Sequence, residues 1–189
     1  MIKGSQTRTA DHAVEPLFVD RWSPRAMSGE AIEPAQLMRL FEAARWAPSA
    51  MNAQPWRLLY ARRDTEQWPL FFDLLVPANQ LWVAQAAALV LIVSDKAQGT
   101  HSFDTGAAWQ NLALQGMAQG LVVHGMAGFD YAAAATRLQI PEGFKVEAMV
   151  AIGKPGQLSA LPEKLQSRES PSPRRPLSET ICEGVFTFQ

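Results

Sequence analysis

The chain has 189 residues, 48% of them hydrophobic and 19% charged, the composition of one globular domain and of neither a disordered segment nor a fibre. Its 17 Lys and Arg against 18 Asp and Glu leave a net charge of −1, so no broad basic field draws nucleic acid or an anionic membrane to it. A single cysteine, Cys182, excludes an internal disulfide and a multi-cysteine metal site; near a C-terminus it is expected to be a small buried hydrophobe.

The opening MIKGSQTRTADHAVEP lacks the apolar core of a signal peptide, and the apolar run over 83–93 contains Gln85 and is too short to cross a bilayer. A cytoplasmic protein without membrane contact is expected. One domain over 1–189 is expected too, with an N-terminal arm over 1–19 and an extended C-terminal arm over 154–189.

Residues up to about 19 show no clear period and read as an arm or short helix. A loop with two arginines follows, RWSPRAMSGEAIEP. Pro34 then suits a first helical position, and Leu37, Leu40, Phe41 and Ala44 mark one buried helix face. Pro48 stops that helix, and SAMNAQP is a loop. Residues 56–61 read as a strand, and Asp64 with Gln67 resembles a capping box for a helix running to about 75.

The continuous apolar run 88–93 predicts a strand covered on both faces. Asp104 is the expected N-cap of a long helix ending near Gly120. Along it Ala113, Gly116 and Gly120 leave a strip for close helix approach, between subunits or within one chain. Residues 121–126 read as a strand, 129–138 as a helix and 146–152 as a last strand before the Pro- and Ser-rich tail. Strands and helices mixed at this length predict a layered α+β or α/β domain.

The chemistry is first defined by absences. GxGxxG, GxxxxGK[ST], HExxH and GxSxG are missing, and His12, His101 and His124 have no metal-ligand spacing. No metal site is expected, and what remains is redox chemistry carried by a bound cofactor. Arg21-Trp22-Ser23-Pro24-Arg25 sets two guanidinium forks around a hydroxyl, a pattern that suits either phosphate or a solvated basic loop. Arg174 and Arg175 could complete the same site. The loop Pro48-Ser49-Ala50-Met51-Asn52-Ala53-Gln54-Pro55-Trp56 crowds short donors and acceptors, suited to the edge of a heteroaromatic ring or simply to turns.

The pair RWSPR and APSAMNAQPW resembles the R-x-S-x-R and P-S-x-x-N-x-Q-P-W elements of the nitroreductase family of flavoenzymes. DTGAAWQNLALQGMAQGL resembles that family's central helix, HGMAGFD the backbone facing its flavin, and AMVAIGKPG with RRPLSE its last strand and C-terminal arginine. The resemblance runs from about 21 to 179.

It implies an α+β fold with a central, mostly antiparallel sheet flanked by helices, and a C-terminal arm that reaches the partner subunit of a homodimer. FMN is the implied cofactor, at the subunit interface. Arg21, Ser23 and Arg25 would hold its phosphate and ribityl chain, with Trp22 packing beside them. Arg174, and with it Arg175, would return to the phosphate. Pro48, Ser49, Ala50 and Asn52 would line the isoalloxazine, Gln54 would bond the ribityl chain or brace the loop, and Asn79 would lie near the ring. The backbone of Met126, Ala127 and Gly128 would face flavin N5, leaving no side chain as acid or base.

The implied reaction is ping-pong hydride transfer from NADH or NADPH through N5 to small electron-poor acceptors such as nitroaromatics or quinones. Enone reduction, dehalogenation, dehydrogenation, flavin cleavage and a non-catalytic flavin-binding redox role are the alternatives on the same scaffold. Relatives often carry a long flavin-covering insertion where this chain has only residues 94–103. The pocket is therefore expected to be either wide open or covered by Phe71, Phe72, Trp82 or the partner, with His101 and Phe103 at the pocket border or His101 in a capping or solvent-facing role.

Overall fold

The computed structural model describes residues 2–188, so Met1 and Gln189, the outer ends of the two expected arms, lie outside the described residues. A four-stranded sheet in the order β1-β2-β4-β3 is antiparallel throughout, with β1 at Trp56–Arg62, β2 at Ala88–Asp95, β3 at Val122–Met126 and β4 at Phe144–Gly153. The helices are α1 (Pro16–Asp20), α2 (Pro34–Arg45), α3 (Trp68–Phe72), α4 (Pro77–Val83), α5 (His101–Ala118), α6 (Tyr131–Arg137) and α7 (Glu163–Gln166).

The apolar run of β2 works as its composition requires. Leu89, Leu91 and Val93 point into one core, while Ala88, Val90 and Ile92 point into the other, because successive strand side chains alternate between faces. β4 divides likewise, Met149 and Ala151 against Val150 and Ile152. One face is closed by Leu37, Leu40 and Ala44 of α2 with Ala108, Leu112 and Ala113 of α5. Phe71, Trp82, Val83 and Ala134 close the other. Among the described residues no helix is long and apolar enough to cross a membrane.

Several expectations change. The helix read from Asp64 to about 75 is only the short α3, and a second helix, α4, follows beyond the expected end. Asp64 caps neither, and a turn occupies the residues before Gln67. Pro77 opens the second, since a proline is harmless at a first helical position and disruptive inside. The central helix begins at His101, three residues before Asp104, with Thr100 at its N-cap. Gly116 and Ala113 serve packing within the chain: a Cβ on Gly116 would lie 2.2 Å from Val123 Cγ2 and 3.6 Å from Leu40 Cδ2. Gly120 takes φ 70° just beyond the helix, the left-handed stop that glycine tolerates. Phe71 and Trp82 are buried in the core, and Phe72 packs against it. Cys182 is exposed, with its thiol 3.4 Å from the Val185 carbonyl oxygen.

Candidate functional site

Three guanidinium groups gather where the N-terminal arm, the RWSPR loop and the C-terminal tail meet. Arg8 donates from Nε to the Ser172 carbonyl at 2.7 Å and from Nη1 to the carbonyls of Val19 and Arg21 at 3.0 and 2.9 Å. Arg174 Nη1 approaches the same Ser172 oxygen at 3.4 Å. Arg21 Nη1 donates to Ser23 Oγ at 3.3 Å.

Among the described residues no carboxylate pairs with Arg8, Arg21 or Arg174. Asp20 is next in sequence but turns to Ser5 and Lys3; the Ser5 hydrogen bonds hold its pKa below the ordinary carboxylate value. Burial and then the positive charge of Arg174 push the Arg21 pKa down, and burial, Arg174 and Arg21 do the same to Arg8. Like charges desolvated together raise one another's cost of ionisation, a cost that an anion placed among them would offset.

The rest of the loop is held from several directions. The Trp22 indole is buried and donates to the Ile2 carbonyl at 2.8 Å. Glu169 Oε1 accepts from the backbone N–H of Arg25 and Ala26 at 2.5 and 2.8 Å, and Oε2 lies 3.7 Å from Arg25 Nη1. Arg25 is thus partly neutralised, unlike Arg21. His124 on β3 donates from Nδ1 to the Pro24 carbonyl at 2.8 Å and lies against Trp82, ring centroids 4.6 Å apart. Burial lowers its pKa to about 4, so the imidazole is neutral.

The loop over 48–55 carries an unusual backbone. Met51, Asn52 and Gln54 sit at φ 52°, 54° and 47°, left-handed conformations that non-glycine residues seldom adopt and that cost roughly 1–3 kcal/mol each. Asp104 holds it: its Oδ2 accepts from Ala50 N at 3.1 Å and from Thr100 Oγ1 at 2.8 Å. Ser49 Oγ accepts from Gln54 N at 3.0 Å, and Gln54 Nε2 donates to the Asn52 carbonyl at 3.2 Å. Gln54 therefore braces the loop. Pro48, Ala50 and the Asn52 side chain are exposed.

At the end of β3, Met126 is buried and Ala127 exposed. The Gly128 carbonyl accepts from Val76 N at 3.1 Å and from Asn79 Nδ2 at 3.0 Å. Asn79 thus orients this backbone from behind. Among the described residues the N–H groups of Ala127 and Gly128 have no acceptor, and two adjacent unpaired donors at a strand end suit a polar ring atom.

One chain brings only some of these pieces together. His124 joins the RWSPR loop to β3, the strand that ends in residues 126–128, and Arg174 lies with Arg21. The 48–55 loop leads into β1, the opposite edge of the sheet, with β2 and β4 between. No hydrogen bond or ion pair among the described residues links it to the arginines or to residues 126–128. Arg175 is exposed and lines, with Arg8, Arg174, Val14 and Phe18, an open groove of about 900 Å³ between the two arms. His101 binds inward, Nδ1 to Ser94 Oγ at 2.7 Å, whereas Phe103 is 84% exposed. Sequence reasoning missed Arg8, and it missed Asp104 and His124 as loop anchors; each acts on residues far away along the chain.

The nitroreductase family profile matches residues 19–80. A crystal structure described as an oxidoreductase containing FMN is 45% identical, with a TM-score of 0.94, covering 96% of this chain and 97% of that one. An uncharacterized 15.4 kDa protein of Mycolicibacterium smegmatis is 31% identical over 58% of this chain and 78% of its own length. A Streptomyces coelicolor protein provisionally named an NADH dehydrogenase/NAD(P)H nitroreductase is 36% identical, over 32% of this chain and 30% of that protein.

Proposed function

The chain belongs to the nitroreductase family and is an FMN-dependent oxidoreductase, and from that premise we propose that it takes electrons from NADH or NADPH and delivers them to small electron-poor acceptors, nitroaromatics or quinones. The observation that carries the cofactor site is the arginine cluster without a carboxylate: Arg21 and Arg174 fit a phosphate dianion that supplies the missing counter-charge. Bound FMN supplies the two-electron chemistry that no side-chain constellation of this chain provides. The name of the Streptomyces relative supports a nicotinamide donor.

The chain's own residues bind and orient. Ser23, with Arg21 and Arg25, serves the phosphate and ribityl end. The N–H groups of Ala127 and Gly128, without an acceptor among the described residues, serve the ring's polar centre, and Asn79 braces the next peptide through the Gly128 carbonyl. The strained 48–55 loop, with Ser49 and Asn52, serves the ring edge. Because that loop stands at the other edge of the sheet, it serves the flavin of a second copy, which makes the working unit a homodimer with its sites at the interface. Donor and acceptor then use one open face in turn, and initial-rate plots give parallel lines.

The deciding experiment is the anaerobic visible spectrum of the purified protein. A flavin spectrum that bleaches with NADPH or NADH and returns with menadione is expected. Bleaching by dithionite alone would replace this reading with a redox carrier, and a protein that takes up no FMN would end it.

A further inference from the structure

We propose that Arg8, on the arm that precedes the R-x-S-x-R loop, is a third phosphate-binding residue and that it makes the site select FMN over riboflavin. This rests on the FMN reading above. Arg8 spends Nε and Nη1 on three backbone carbonyls from three parts of the chain, those of Ser172, Val19 and Arg21. Its Nη2 has no acceptor among the described residues.

The backbone contacts leave Nη2 unused and leave the single guanidinium charge of Arg8 beside two other cations. Arg8 and Arg174 converge on one oxygen, the Ser172 carbonyl, at 2.7 and 3.4 Å. The Arg21 carbonyl is also held by Arg8, so all three guanidinium-bearing residues are tied into one knot.

The arm is seated there by close packing as well. A Cβ on Gly4 would stand 1.9 Å from the Val19 carbonyl oxygen and 2.9 Å from Arg8 Nη1, so only glycine lets the arm lie this close to the loop. Asp20 is turned to Ser5 and Lys3, and Asp11, which lines the same groove as Arg8 and Arg174, accepts the backbone N–H of Leu177 at 3.3 Å and forms no ion pair with either arginine. A dianion between the three guanidinium groups would meet the unused Nη2 donors and relieve the repulsion. Riboflavin, which lacks the phosphate, gains nothing from them.

The test uses full-length protein stripped of flavin, with dissociation constants for FMN and riboflavin measured by fluorescence quenching on wild type, R8Q, R8K and R21Q. R8Q should weaken FMN about tenfold or more while riboflavin stays within about twofold, since a hydrogen bond to a charged group is lost only for the phosphorylated ligand. R8K, which keeps charge but loses the fork, should fall between. Equal weakening of both ligands by R8Q would make Arg8 a structural clasp and overturn the proposal, as would no change in either. R21Q separates the two levels of inference. If wild type prefers FMN, R21Q loses the preference and R8Q keeps it, only the role of Arg8 fails; if wild type binds FMN no tighter than riboflavin, the phosphate site itself fails.

Discussion

Lowering the pH should destabilise this protein through one imidazole. His124 is half-buried between the RWSPR loop and Trp82, its Nδ1–H on the Pro24 carbonyl and the charges of Arg25 and Arg21 nearby. Burial is the main cause that lowers its pKa to about 4, the arginines act in the same direction, and the carbonyl bonds oppose them. In the unfolded chain the same ring titrates near 6.5. The unfolded state therefore takes up a proton first as the pH falls. The stabilisation is complete above about pH 6.5, declines through the window down to about 4, and is gone below it.

Each pH unit of that window is worth roughly 1.4 kcal/mol, so the whole effect is on the order of 3 kcal/mol, a large share of a domain's stability. The assay is urea unfolding of flavin-free protein from pH 8 to 4, compared with H124N, whose amide can replace the Nδ1 donor but does not titrate. Wild type should lose stability across the window, and H124N should start lower and fall less steeply. Other acids contribute equally to both, so the difference between the curves isolates the imidazole. Parallel curves would show that His124 is not held neutral by the fold.

Gly116→Ala should cost about 1–3 kcal/mol in urea unfolding, because the new methyl meets stiff, buried Val123 and the gain in helix propensity is only about 1 kcal/mol; a more stable variant would refute the packing argument. Asp104→Ala removes the acceptor for Ala50 N and should lower stability by about 1–3 kcal/mol and weaken FMN binding, read by calorimetry and flavin titration. Asn79→Ala leaves the Gly128 carbonyl with Val76 N as its one donor and should slow reduction of bound flavin by NAD(P)H more than it weakens FMN binding; stopped-flow traces identical to wild type would remove the positioning role. Deleting residues 185–189, an apolar end with Val185 and Phe186 exposed, should weaken the dimer and lower flavin occupancy; a truncated protein that stays dimeric and yellow would refute it.

Some features were legible because their signal is local. The β2 run announces burial on both faces without reference to anything else, since a strand alternates its side chains every residue. Pro34 and the spacing of Leu37, Leu40 and Ala44 announce α2 in the same way. RWSPR and the 48–56 loop keep their residue types at short spacings, so the family resemblance and the candidate ligands could be read directly. The late start of α3 could not be, because Asp64 and Gln67 imitate a cap that the chain does not use there.

The remainder was settled between residues far apart in sequence. Arg8 becomes part of a cation cluster only because Ser172 and Arg21 arrive beside it. Asp104 looked like the N-cap of its own helix, and became the anchor of a loop 54 positions earlier once α5 extended back to His101. Asn79, expected near the ring, braces the Gly128 carbonyl, and Gly116 fits closely against Val123 within the chain. The sequence by itself determined the secondary elements with a strong period and picked out the two candidate ligand-binding segments, because both depend on neighbours along the chain. The tertiary structure alone decided which charges go unpaired, which polar groups hold the loops, and that the two segments stand at opposite edges of one sheet, because these depend on long-range contacts that no local pattern encodes.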